Sequence, residues 1–297
     1  MKTTFNPKLI MDTLVTPLVM SFVSINTSSA VAQDFGPFTT VLTNAKIRPP
    51  ARWNSNFPLS DQKNNSHWML NPVFSDEFNQ TTLDANKWYD KMPYASQGAD
   101  RTLLVPTTHG LEFHMRQGPP TGNYNYRGSY IASKSLLLYG YIEANIKMAA
   151  NYANNNMFLY AKEPAEWTEI DVVEIYPLPR SAGVRASLNA HVWYSSLIDT
   201  HTEQQTYFTL NGGQTFADGY HVFGFAWTPT RLAWYIDGQL VREGVNSSWH
   251  QPLNLSWYLG STQLDESNGS CSDSSRSNEG KICPCLDGPE LITCCYM

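Results

Sequence analysis

Up to residue 270 the chain has no cysteine: Cys271, Cys283, Cys285, Cys294 and Cys295 all fall in its last 27 of 297 residues. The body of the protein must therefore hold together without disulfides, and the odd count leaves at least one thiol unpaired or joined to another molecule. Charge is scarce too, with Asp, Glu, Lys and Arg at 15% and a net charge of −6. No nucleic-acid partner is expected of that balance. There is no Gly-rich phosphate loop, and His191 and His221 lack the paired spacing of a zinc site, so cofactor chemistry finds no support. Long 3.6-period apolar stripes with caps are missing, which disfavours helix-rich folds. Beyond the amino terminus no run approaches the ~20 apolar residues that span a bilayer, so no membrane partner is expected of the mature chain.

What the chain does have is aromatic side chains, at 13%, and repeated alternation of apolar and polar residues. Leu111-Glu112-Phe113-His114-Met115 and Leu232-Ala233-Trp234-Tyr235-Ile236 alternate with the period of a half-buried strand. A length of 297 residues suffices for one large all-β domain. At the amino terminus Lys2 and Lys8 precede a mostly apolar stretch from Leu14 to Ile25, and Ala30-Val31-Ala32 has the small-x-small form that a signal peptidase cuts. Residues 1–32 are thus expected to be an export signal, cleaved before Gln33, and the mature chain to be secreted. Residues 33–67, with Pro49-Pro50 and several Asn and Ser, are expected to be a linker or a strap.

Glu169-Ile170-Asp171-Val172-Val173-Glu174 places three carboxylates in six positions of an otherwise apolar, β-branched run. In a strand Glu169 and Asp171 share one face and Ile170 takes the other. Glu174 falls on the wrong side by that count. One extra residue, a β-bulge at Val172-Val173, returns it to the face of the other two. Three like charges on one face repel, which keeps a proton on the group and drives the outer pKa values apart. A glycosidase needs that asymmetry: one carboxylate attacks the anomeric carbon while the other, protonated, donates to the leaving oxygen. The alternative is a solvated strand edge guarded by acids, which would normally carry Lys as well and would not need the flanking Trp167 and Tyr176.

These residues resemble glycoside hydrolase family 16 in its bulged form, Glu-x-Asp-x-x-Glu. Other stretches agree in order. Ser75-Asp76-Glu77-Phe78-Asn79 with Leu83-Asp84 and Lys87-Trp88 is similar to the family's opening strand and turn. Tyr139-Gly140-Tyr141-Ile142-Glu143-Ala144-Asn145-Ile146-Lys147 resembles a strand in which Arg is common where Asn145 stands. His221 to Trp227 and Trp234 to Gly238 are similar to its late strands and hairpin. The resemblance covers residues 68 to about 260, and the catalytic domain is expected over 68–262. It implies a two-sheet antiparallel β-sandwich, a concanavalin-like jelly roll, with the acids on a concave face.

The resemblance further implies that Glu169 is the nucleophile, Glu174 the general acid and then base, and Asp171 the intervening acid that tunes both. A sugar cleft pairs aromatic rings with hydrogen-bonding side chains. Trp167, two residues before the first acid, is the expected platform. Asn189, His191 and Trp193 alternate along the next strand, and His191 and Trp193 are assigned to sugar contact by resemblance, ordinary core packing being the alternative for Trp193. Phe158 stands near where the family usually has Trp. The expected partner is a polysaccharide and the expected state a monomer. Trp68-Met69-Leu70 and Trp249 to Asn254 look more like the red-algal galactanases than the mixed-linkage glucanases. Removing Lys2, Lys8 and Asp12 takes the net charge from −6 to −7. A heavily sulfated chain is then repelled at long range unless Arg101, Arg127, Arg180 or Arg185 lines the groove. Agarose is favoured, with κ-carrageenan and laminarin-type glucan behind it. A noncatalytic glycan-binding protein and an inactive homologue stay open as other classes.

The carboxyl end departs from the family. Nothing after Leu264 resembles its usual closing strand, and 263–297 is expected to be an atypical Ser/Cys-rich tail: a disulfide-linked appendage, a divergent end or a misjoined one. Many relatives carry a structural calcium on the convex face; its usual ligand on the closing strand is missing here, so no metal is expected.

Overall fold

The computed structural model describes residues 38–90, 99–121, 124–149, 154–162, 167–175, 185–193, 201–203, 205–260 and 291–296. The expected signal segment, Tyr176, Arg180, Cys271, Cys283 and Cys285 lie outside them.

The described residues form eighteen strands: β1 (Phe38–Thr40), β2 (Asn44–Ala45), β3 (Trp88–Tyr89), β4 (Leu104–Thr107), β5 (Gly110–Thr121), β6 (Tyr124–Arg127), β7 (Ser129–Leu137), β8 (Gly140–Lys147), β9 (Asn154–Lys162), β10 (Trp167–Ile175), β11 (Arg185–Trp193), β12 (His201–Glu203), β13 (Thr206–Leu210), β14 (His221–Trp227), β15 (Arg231–Ile236), β16 (Gln239–Val245), β17 (Leu253–Gly260) and β18 (Leu291–Tyr296). They make two sheets of nine. The first runs β1-β16-β15-β14-β8-β18-β5-β4, with β6 beside β5; the second runs β2-β13-β11-β10-β9-β17-β7-β3, with β12 beside β11. Pairing is antiparallel throughout these ladders except between β13 and β2.

Alternation drives the stacking. On β8, Ile142, Ala144 and Ile146 are buried while their neighbours are half-exposed. They meet Phe223, Phe225 and Trp227 of β14 and, from the second sheet, Leu159, Ile170, Leu188, Val192 and Leu255 in one apolar core. Burying each such side chain is worth about 1.5–3 kcal/mol. The β15–β16 hairpin turns at Asp237 and Gly238, both at positive φ (+50° and +77°), as a two-residue turn of primed type requires. Asp237 is held there by His221 Nδ1 at 2.7 Å and by the Val222 N–H at 2.8 Å.

Three expectations change. The segment Ser75–Asn79, similar to an opening strand, enters no ladder. Instead Asp76 accepts hydrogen bonds from Trp88 Nε1 (2.8 Å) and the Phe78 N–H (2.9 Å), which fix it as an irregular staple. Residues expected to be a linker or strap add β1 to the first sheet and β2 to the second. Most importantly, the tail does supply a strand. β18 lies between β5 and β8, with Cys295 opposite both Leu111 and Ile146. Leu291-Ile292-Thr293-Cys294-Cys295-Tyr296 is β-branched and aromatic enough for a strand, and its cysteine pair hides that pattern.

Candidate active site

Strand β10 carries the three acids, and its register shows how. Against β9, Asp171 faces Phe158 and Val173 faces Met157; against β11, Asp171 faces Asn189 and Glu174 faces Ser187. Both ladders slip between Asp171 and Glu174, so the expected bulge at Val172-Val173 is present. Ile170, Val172, Val173 and Ile175 are all buried in the core. Residues opposite each other in an antiparallel pair share a face, so Glu169, Asp171 and Glu174 lie on one face.

That face is organised in rows. Glu169 is flanked by Tyr160 and His191, Asp171 by Phe158 and Asn189, and Glu174 by Asn156 and Ser187. The rows continue through β17, where Asn254, Ser256 and Tyr258 oppose Tyr160, Phe158 and Asn156. Trp167 pairs with Trp193, in phase with Glu169 and His191; what their rings touch lies outside the described residues. Every residue expected in the site thus occupies this face or its register.

Asp171 is 1% exposed and Glu174 5%, deep enough that each hydrogen bond to them matters. His191 Nε2 lies 2.9 Å from Asp171 Oδ2, and Asn189 Nδ2 lies 3.0 Å from the same nitrogen. The amide orientation of Asn189 is set by the Ala190 N–H, which donates to its Oδ1 at 2.9 Å. One ring nitrogen cannot donate and accept at once: with its proton on Nε2, His191 donates to Asp171 and aims the middle carboxyl, and Asn189 packs beside it without a second bond to that nitrogen.

The site is also held from behind. Trp234 Nε1 donates to the Asp171 carbonyl at 2.8 Å, Trp249 Nε1 to that of His191 at 3.1 Å, and Arg242 Nη1 to that of Leu188 at 2.6 Å. Arg242 is 1% exposed and stacks on Phe38 and Trp234, 4.3 and 4.5 Å from the ring centroids. Burial pushes the guanidinium down to about 9, while the charge of Asp171 acts the other way, so it remains a cation behind the acids at neutral pH.

Sequence reasoning missed Tyr130, Tyr160 and Ser256. Tyr130 packs with Ala132 and Phe158 beside Tyr160, and its hydroxyl meets Ser256 Oγ at 3.2 Å. Burial raises the phenol pKa, the Ser256 bond opposes this, and the charge of Glu169 raises it further. A signal existed in the alternation of Tyr130 with Ala132, but nothing in it tells the site face from the core face. Of the arginines, Arg185 lies in register with Ser187 and Asn189 and sits 3.8 Å over the Tyr207 ring. Arg101 instead lies 3.3 Å from Asp90, with its side chain 64% exposed. Among the described residues, no group of three or more His, Cys, Asp or Glu side chains has metal-binding geometry.

A two-sheet sandwich with three acids on a bulged strand defines a glycoside hydrolase architecture, and comparison with known proteins makes it specific. Residues 68–279 match the family described as Beta-porphyranase A-D, GH16 domain, and the chain belongs to glycoside hydrolase family 16. Beta-agarase AgaB34 of Agarivorans albus is 29% identical over 201 residues, covering 62% of this chain and 42% of that protein. Beta-porphyranase E of Zobellia galactanivorans is 29% identical over 212 residues, covering 65% and 75%. The chain thus spans less than half of the first relative and three quarters of the second. Among solved structures, a kappa-carrageenase from Zobellia galactanivorans superposes with a TM-score of 0.59 at 21% identity, over 76% of this chain and 92% of the other. The fold is the jelly roll of that family.

Proposed function

We propose that this chain is a secreted, retaining endo-glycosidase that cleaves β-linkages in a red-algal galactan, with agarose as its substrate. The observation that carries the reading is the bulge, which turns Glu174 onto the face of Glu169 and Asp171. Family membership and the agarase and porphyranase relatives support the substrate class.

In this mechanism Glu169, the less buried outer acid, attacks the anomeric carbon while Glu174 protonates the leaving oxygen. Water activated by Glu174 then releases the sugar, and two displacements at one carbon retain its configuration. Asp171 supplies the negative neighbour that holds Glu174 protonated at the outset. Tyr160 and Phe158 offer ring faces, Asn189 and His191 hydrogen bonds, and Trp167 and Trp193 the flanking platforms.

A second reading, cleavage of the sulfated galactan porphyran, is favoured by Arg185 in register with the site and by the family description. The retained triple acid speaks against a noncatalytic module. Secretion rests on the amino-terminal pattern; among the described residues no helix is long and apolar enough to cross a membrane.

Reducing ends released from agarose, porphyran, κ-carrageenan and laminarin decide among these. Agarose is expected to be cut fastest, with the β-anomer formed first in the NMR spectrum. Release from none of the four, or an α-anomer first, overturns the proposal.

A further inference from the structure

On the first sheet, on the side facing away from the core, a cavity of about 390 Å³ lies between β8 and residues 53–77. Its volume falls in the range of small-ligand pockets. The site acids take no part in it. Trp53, Trp68, Phe57, Tyr139 and Tyr141 give it aromatic walls, and Glu143 and Asn145 stand on its floor.

The wall is preformed. Gln62 Nε2 ties the carbonyls of Asn54, Phe57 and Pro58, and Asp61 caps the N–H groups of Asn65 and Ser66 at 2.9 and 2.8 Å. The Leu59 N–H donates to Glu143 Oε2 at 2.9 Å, and Ser60 Oγ donates to the Tyr141 hydroxyl at 3.0 Å. Trp68 leans on Tyr141 with centroids 5.7 Å apart. Tyr141 in turn lies over Gly224, where any Cβ would collide with its hydroxyl.

One feature asks for a ligand. Asn145 Oδ1 is buried and has no hydrogen-bond partner. Native structures seldom leave a buried acceptor unmet. A ligand hydroxyl can meet it, and the Glu143 carboxyl beside it accepts as well. Burial raises Glu143 to about 6 against the Leu59 N–H bond, and Glu77 at the rim is raised by burial and by Asp76. Among the described residues the lining contains no Lys or Arg, so none of them offsets a sulfate. Aromatic faces, hydroxyl acceptors and acids without cations together select an uncharged sugar over a lipid or a sulfated chain.

We infer that this cavity is a second glycan-binding site, which holds an unsulfated galactan segment on the sheet opposite the acids. The inference rests on the galactan reading of the function. The site tethers the protein to a neighbouring chain of the gel while the acidic face works on another.

The test uses the full chain carrying Glu174→Gln, so that the probe survives, and agarohexaose and agarose gel as probes. Calorimetry is expected to show two hexaose sites per chain. Asn145→Leu, which removes the unmet oxygen, and Trp68→Ala are each expected to reduce this to one and to weaken partition onto the gel by about tenfold, the loss of one good polar or ring contact. A melting temperature of Asn145→Leu no lower than the parent's verifies that the sheet is intact. Unchanged stoichiometry and gel binding in both variants overturns the inference, even if the wild type cuts agarose. Loss of gel binding in the variants of a protein that cuts none of the four polysaccharides upholds the second site and overturns the catalytic reading instead.

Discussion

Trp234, on the first sheet, donates its indole N–H across the core to the carbonyl of Asp171, 2.8 Å away on the second. The register slips directly after Asp171, so this contact holds the backbone at the point where the bulge begins. Trp234→Phe keeps an aromatic ring but removes this hydrogen bond, a cost of about 0.5–1.5 kcal/mol before any packing loss. Urea unfolding is expected to show that loss. A larger fractional fall in kcat than in 1/KM is expected alongside it, because a loosened bulge misaims Glu174 more than it disturbs substrate contacts.

Substitution of the outer acids tests the chemistry itself. Glu169→Gln and Glu174→Gln are each expected to keep the circular dichroism spectrum and lower kcat by about a thousandfold or more, as loss of a nucleophile or its acid partner does. With Glu169→Ala, azide is expected to restore turnover of an activated β-substrate and give the inverted α-azide. A β-azide product refutes Glu169 as the nucleophile.

The middle acid is tested by pH. Asp171→Asn removes a negative neighbour from both outer carboxyls, so each ionises more readily. The acid limb of the kcat/KM profile is expected to move to lower pH, with kcat down roughly a hundredfold. His191→Ala, which removes the 2.9 Å contact that aims Asp171, is expected to lower kcat in the same direction and by less. An unmoved acid limb in Asp171→Asn shows that this carboxyl does not tune the other two.

How much of this was legible beforehand follows from what each pattern encodes. The bulge could be read because Val172 and Val173 interrupt an alternation that three acids mark. His191 and Asn189 could be placed because they alternate on the next strand. Tyr130 and Ser256 could not, since their relation to Glu169 arises from pairing across β7, β17 and β9, which no local spacing records. The same holds for Arg242, whose reach to Leu188 spans 54 positions of sequence. The role of Asp76 as a staple was hidden by its likeness to a strand, because the same residues serve either geometry until Trp88 is brought to them.

Glu143 makes stability depend on pH in a predictable direction. Its carboxyl titrates near 6 in the folded protein, raised from 4.5 by burial. A raised folded-state value means stability is greatest below the unfolded pKa and falls as pH rises through the folded one, here by about 2 kcal/mol between roughly pH 4.5 and 6. Glu143→Gln can still accept from the Leu59 N–H, so its stability difference from the wild type is expected to grow across that window and stay level above it. A difference independent of pH shows that Glu143 does not titrate there.

The carboxyl-terminal strand gives the test that separates the sequence expectation from the structure. From its composition the tail looks expendable, since no site residue lies in it. The register makes β18 an interior strand: Leu291 to Cys295 oppose Met115 to Leu111 of β5, and Cys294 to Tyr296 oppose Lys147 to Asn145 of β8. Cutting the chain after Gly280 then opens two unpaired edges in the middle of the first sheet, over the buried Leu111 and Ile146. Several kcal/mol lost from a domain of this size corresponds to a fall in melting temperature of roughly 10 °C or more, and the exposed edges favour aggregation. Activity measured well below the new midpoint is expected to recover, because β9, β10 and β11 belong to the other sheet. A truncated chain that melts with the wild type shows that β18 does not close the sheet, and the core beneath it must then be covered by other residues.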